Sequence, residues 1–153
     1  MAITKDNKFL ISASEDKTLK LYNMVTGKEI RTFKGHKEWV NSVAVSPNSK
    51  YILSGSDDKT LKLWNINTGK NIKTFKGHRD SITSVLITEN DKYAISGSAD
   101  KTIKLWNIAT GKLIKTFRGH KSGVTSLVIT PDAKHLLSSS FDKTLKLWEI
   151  DTG

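Results

Sequence analysis

The chain has 153 residues, no cysteine, and 25 Lys+Arg against 15 Asp+Glu, a formal charge of +10. That length suits one domain with a core of its own, and the absence of cysteine excludes disulfides and thiolate metal sites. No stretch is apolar for long enough to span a membrane as a helix, and the first ten residues lack the pattern of a secretory or transit leader, so a soluble, cytoplasmic protein is expected.

The chain opens inside what reads as a strand, because Met1-Ala2-Ile3-Thr4 aligns with Val43-Ala44-Val45-Ser46 further along. The alignment follows from a repeat. Gly-His recurs at Gly35-His36, Gly77-His78 and Gly119-His120, and an aromatic ends a Leu-Lys-Leu run or its equivalent at Tyr22, Trp64, Trp106 and Trp148. Both series step by 42 residues without insertion or deletion. A fixed period of this size marks an architecture of stacked units.

Within the unit 37–78, Val40 to Ser46 is β-branched and reads as a strand. Pro47 to Lys50 is a turn, and Tyr51 to Ser56 a second strand. Asp57-Asp58-Lys59 is a tight turn before Thr60 to Ile66, which alternates with period two. Asn67 to Lys70 turns the chain again, with Gly69 supplying positive φ. Asn71 to Lys76 is the fourth strand. No segment has a helical period, and the short turns predict an antiparallel meander. Such a sheet is apolar on both faces, so it must pack between others of its kind. The fourth strand would be the outer edge, where Arg31, Lys34, Lys73, Lys76, Lys115 and Arg118 guard against edge pairing.

The basic charge follows the same period. Lys17, Lys59, Lys101 and Lys143 share one position, and Lys20, Lys62, Lys104 and Lys146 another. Charge repeated in every unit spreads around a molecule instead of gathering in a cleft. A solvated surface accounts for it better than a nucleic-acid interface.

The pattern of Gly-His, a strand, Ser-Gly-Ser-x-Asp-Lys-Thr and Leu-Lys-Leu-Trp-Asn resembles the WD-repeat β-propeller family over essentially the whole chain. The dipeptide that names the family appears as Tyr22-Asn23, Trp64-Asn65, Trp106-Asn107 and Trp148-Glu149. The resemblance implies an all-β fold of four-stranded antiparallel blades in one WD-repeat domain, residues 1–153, of about 3.6 repeats. Its blades would be 1–36, 37–78, 79–120 and 121–153, the last lacking its fourth strand at Asp151-Thr152-Gly153. Three completions are open: half of a longer propeller, a ring closed by two copies, or a strained four-bladed ring.

In the family, a His, a Ser or Thr, an Asp and a Trp form a hydrogen-bonded set inside each blade. Matched residue by residue, the sets are His36, Ser54, Asp58 and Trp64; His78, Ser96, Asp100 and Trp106; and His120, Ser138, Asp142 and Trp148. The first unit has Ser12 and Asp16 but no Gly-His, and Tyr22 replaces the Trp. A Ser, His and Asp could also suggest a hydrolase, but three copies and no oxyanion-hole motif point to structure. No metal site or cofactor is expected, since 22-residue His-to-Asp spacings have no ligand logic.

The positions that break the repeat are Glu15, Asp57, Ala99 and Phe141 before the Asp, and Lys37-Glu38-Trp39, Arg79-Asp80-Ser81 and Lys121-Ser122-Gly123 after Gly-His. The family arrangement implies that these share one loop face around the central channel. Glu38, Trp39, Asp57, Asp80 and Phe141 are the candidate partner contacts, since exposed aromatics with nearby charge make hot spots. The implied function is a non-enzymatic scaffold for a protein or peptide. The alternatives are a basic propeller that binds nucleic acid, and a half-propeller that works only as an oligomer or within a longer chain.

Overall fold

A computed structural model of the chain describes residues 1–150; the predicted end of the fourth blade, 151–153, lies outside them. The described residues form strands and turns only. The first sheet contains β1 (Ala2–Ile3), β2 (Phe9–Ala13), β3 (Thr18–Asn23) and β4 (Glu29–Lys34). The second contains β5 (Val40–Val45), β6 (Tyr51–Ser56), β7 (Thr60–Asn65) and β8 (Asn71–Lys76). The third contains β9 (Ile82–Ile87), β10 (Tyr93–Ser98), β11 (Thr102–Asn107) and β12 (Leu113–Arg118). The fourth has β13 (Val124–Ile129), β14 (His135–Ser140) and β15 (Leu145–Glu149). Each sheet is a meander in sequence order.

The turns explain the register. Lys17, Lys59, Lys101 and Lys143 all take positive φ, between 67° and 72°, in the turn that leads into a third strand. Asp58 holds this turn by accepting from Thr60 N–H at 2.9 Å and Thr60 Oγ1 at 2.6 Å, an Asx-type arrangement. With the turn set, the alternation of β7 sends Leu61 and Leu63 toward the third sheet and Trp64 toward the first.

Three cores follow, one at each junction between successive sheets. The first joins Ile11, Leu19, Leu21 and Phe33 to Val40, Val43, Ile52 and Trp64, and the others repeat it one and two units later. The first strands stand side by side: Asn41 Nδ2 donates to Ile82 O at 3.1 Å, and Thr83 Oγ1 to Val124 O at 2.7 Å. No core joins the first sheet to the fourth among the described residues. The molecule is an open arc of blades, which removes the strained four-bladed ring.

The outer strands correct one expectation. Arg31 Nη2 donates to Asn67 O of the next blade at 2.9 Å, Lys73 Nζ reaches the carbonyls of Ile108 and Ala109, and Lys115 Nζ reaches Glu149 O at 3.3 Å. These three side chains staple each blade to its successor. Lys34, Lys76 and Arg118 stay exposed, as an edge charge would.

Candidate functional site

In the second blade, Trp64 Nε1 donates to Ser54 Oγ at 2.8 Å. Ser54 Oγ lies 2.7 Å from His36 Nε2, and His36 Nδ1 lies 2.7 Å from Asp58 Oδ2. Asp58 Oδ2 also accepts from Lys37 N–H at 3.0 Å. A carboxylate only accepts and an indole N–H only donates. The chain therefore runs one way, from Trp64 through the Ser54 hydroxyl and the Nδ1–H tautomer of His36 to Asp58. The third and fourth blades repeat it, at 2.9, 2.8 and 2.7 Å for Trp106–Ser96–His78–Asp100 and 2.8, 2.7 and 2.9 Å for Trp148–Ser138–His120–Asp142.

Gly35 must be glycine here. Its φ is +151°, and a Cβ would sit 3.1 Å from Cη2 of Trp64. The ring is also met edge-on by Phe33, at 5.9 Å between centroids. The indole thus packs two strands while its N–H starts the relay.

Ser54 and Ser96 are 0% exposed and Ser138 is 1% exposed. A hydroxyl so enclosed, already accepting from an indole, meets no substrate carbonyl. The sets hold the connector that enters each of the second, third and fourth blades to that blade's tight turn between second and third strands. Burial alone would raise the carboxyls of Asp58 and Asp100. Hydrogen bonds from His36 and Thr60, or His78 and Thr102, and the next backbone N–H outweigh it and hold both well below the usual range. For Asp142 the Thr144 hydroxyl has the largest effect, opposed by burial and helped by Lys121 N–H.

A carboxylate depressed in the folded state stabilises above its unfolded pKa, near 4, and loses that stabilisation as pH falls through the folded value. The contribution of these carboxylates is expected to be lost as pH falls below about 4. Urea midpoints on either side of that pH check it. Asp58→Asn and Asp100→Asn should each make the decline shallower, and an unchanged decline in both would rule out these carboxylates as its source.

At the same loop end, Trp39 is 47% and Phe141 74% exposed. They stand on the second and fourth blades, with the third between. Each loop is braced within its blade: Asp57 N–H donates to Trp39 O at 2.9 Å, and Phe141 N–H to Gly123 O at 3.0 Å. Asp57 accepts from Asn41 Nδ2 at 2.6 Å. Glu38 is exposed and pairs with Lys17 at 3.3 Å, so it also spans two blades. Asp80 turns back on Ser81 N–H at 2.8 Å and is exposed. Asn41 was missed as a loop-bracing residue; its position in a predicted strand gave no hint of a side chain linking Asp57 to Ile82.

A concavity of about 360 Å³ lies at the opposite end between the second and third blades, lined by Tyr51, Leu63, Ile72, Lys73 and Ile108 among others. Among the described residues no three His, Asp or Glu side chains gather as a cation site.

The comparisons agree with this geometry. The family model described as WD domain, G-beta repeat matches residues 1–23, 27–65, 69–107 and 111–149. The chain is similar to the nuclear distribution protein PAC1 of Arthroderma otae (strain ATCC MYA-4605 / CBS 113480), at 50% identity over 38 residues, 25% of this chain. The matched stretch spans only 8% of that protein. Four matches from residue 1 to 149, each with its strands and three with the buried Trp–Ser–His–Asp relay, place the chain in the WD-repeat family.

Proposed function

We propose that the chain is a non-enzymatic scaffold that binds a protein or peptide on its loop face. The observation that carries this reading is the pair of exposed aromatics, Trp39 and Phe141, on loops braced by backbone hydrogen bonds. Large rigid side chains lose little entropy on binding and dominate interface energetics. Glu38, Asp57 and Asp80 supply the charge around them, favouring a partner with basic groups. The cysteine-free sequence suits a cytoplasmic setting.

The test compares wild type with Trp39→Ala/Phe141→Ala. Partners captured by the wild type should lose at least tenfold in affinity, by calorimetry on the purified pair, while the thermal midpoint stays within 2 °C. Unchanged affinity would move the site elsewhere.

A second reading rests on a different observation. Leu145 and Leu147 are 69% and 66% exposed, whereas Leu61 and Leu63, one face of the second blade, are 0% and 4% exposed. Val128 and Leu137 extend the same open face. In the interior each such face is covered by the next blade's aliphatics and Trp. A second copy offers the matching face, with Leu10 and Tyr22 at the positions of Ile52 and Trp64, and two such contacts would close an eight-bladed ring. Sedimentation equilibrium should give twice the 17.0 kDa chain mass, reverting to one chain in Leu145→Glu/Leu147→Lys. A wild-type monomer at micromolar concentration would remove this reading.

A further inference from the structure

The second and third blades differ from the first in how they treat one lysine. Lys20, on β3, pairs with Glu29 Oε2 at 2.8 Å, and the other oxygen of Glu29 takes the Thr32 hydroxyl at 2.5 Å. One and two units on, the position of Glu29 holds Asn71 and Leu113. The lysines remain as Lys62 and Lys104. Both donate to a threonine hydroxyl, Lys62 to Thr74 at 3.0 Å and Lys104 to Thr116 at 2.9 Å, and neither forms an ion pair among the described residues; Lys104 is the buried one, only 7% exposed. A buried ammonium without a carboxylate at contact distance is costly unless something else supplies the negative charge.

Two more cations share the wall. Arg79 and Arg118 line the same concavity of about 70 Å³, with Gly77, Asp100 and Thr102. The second blade's counterpart, lined by Lys37, Lys62 and Lys76, is larger, about 340 Å³. The smaller space equals roughly two water volumes, the size of one tetrahedral oxyanion. The guanidinium side chains of Arg79 and Arg118 have no hydrogen-bond or ion-pair partner among the described residues. Asp100 is the one carboxylate present, and both of its oxygens are engaged. Oδ1 takes Thr102 N–H and hydroxyl, and Oδ2 takes His78 and Arg79 N–H. Three cations against one engaged carboxylate leave the wall net positive. Burial pushes the Lys104 ammonium down; Asp100 opposes this, and Arg118 and Arg79 add to it. That repulsion is relieved by an anion.

We propose that the Arg79–Lys104–Arg118 concavity of the third blade is an oxyanion site that accepts a dianionic phosphate monoester. Guanidinium forks match phosphate oxygens two at a time, and a buried ammonium adds a point charge. The site stands whether or not Trp39 and Phe141 contact a partner. The shared chemistry is the phosphate group, borne either by a phosphorylated side chain of a polypeptide or by a free anion.

The test is a two-dimensional ¹⁵N–¹H titration at constant ionic strength. The probes are inorganic phosphate, a five-residue peptide with a central phosphoserine, and its unphosphorylated form. Saturable shifts are expected at the Arg79 and Thr102 amides, and none at Thr18, whose blade has Lys20 neutralised by Glu29. Tighter binding of the phosphopeptide assigns the group to a polypeptide; equal or tighter binding of inorganic phosphate assigns it to a free anion. Two exposed positions keep the fold intact while testing the charge. Arg118→Gln should weaken binding at least tenfold. Leu113→Glu, which restores the carboxylate of the first blade, should abolish it. No saturation with either phosphate probe, equal shifts at Thr18, or full affinity in both variants would overturn the proposal.

Discussion

Replacing Ser96 by alanine is expected to destabilise the protein by about 2–5 kcal/mol, the sum of two buried groups left without partners. The hydroxyl is fully buried and serves two neighbours: it accepts from Trp106 Nε1 at 2.9 Å and lies 2.8 Å from His78 Nε2. Alanine removes both contacts at a fully buried position. A marginally stable domain has roughly 5–15 kcal/mol in total, so the loss is large. The first blade provides the internal control. Ser12 occupies the same position, but no His precedes it and Tyr22 replaces the Trp, so Ser12→Ala should cost under about 1 kcal/mol. Urea unfolding of the two variants measures the difference. Ser96→Ala unfolding within 0.5 kcal/mol of Ser12→Ala, the scatter of ordinary surface changes, would mean the relay is a bystander to packing. A cycle with Trp106→Phe isolates the Ser–Trp link, since the double variant no longer leaves an indole N–H unpaired.

Most of the architecture was legible because the repeat ties local pattern to global packing. The second and fourth strands, Tyr51–Ser56 and Asn71–Lys76, lie where the turns around them placed them. The first and third end one residue earlier than read, at Val45 and Asn65. Ser46 leaves the ladder because its hydroxyl accepts from Tyr51 N–H at 2.9 Å and closes the turn. What crosses from one blade to the next was not legible. Arg31 and Lys73 read as edge charges, yet they reach carbonyls some 35 residues on; no periodicity within one unit encodes that reach. Likewise Lys59 sits in a turn that sequence identifies, but its positive φ follows from the hydrogen bonds around Asp58. The candidate contacts Trp39 and Phe141 stood out as departures from the repeat. Leu113, in place of Glu29, is an equally clear departure whose meaning appears only beside Lys104.

The other large expected effect concerns how closely two blades approach. Gly55→Ala is expected to cost about 1–3 kcal/mol by overpacking. A Cβ there would stand 2.8 Å from Val85 Cγ1 and press on Ile82 Cγ2, both fully or nearly buried in the junction between second and third blades. Gly55 needs no special backbone angle, so the restriction is one of space. The first blade shows the complementary solution. Ala13 occupies the position of Gly55, and the facing pair is Val40 and Val43 where the second junction has Ile82 and Val85. A methyl gained on one side is balanced by a methyl lost on the other. Ile82→Val alone should cost about 0.5–1.5 kcal/mol through the cavity it leaves. Joined to Gly55→Ala it recreates the Ala13, Val40 and Val43 trio, so the double variant should be more stable than Gly55→Ala alone. The coupling should be at least about 1 kcal/mol in the favourable direction. Denaturant midpoints of the four proteins decide it. Strictly additive costs would show that the junction relaxes by moving whole blades apart, and the size of the residue facing each glycine would then be no constraint on blade order.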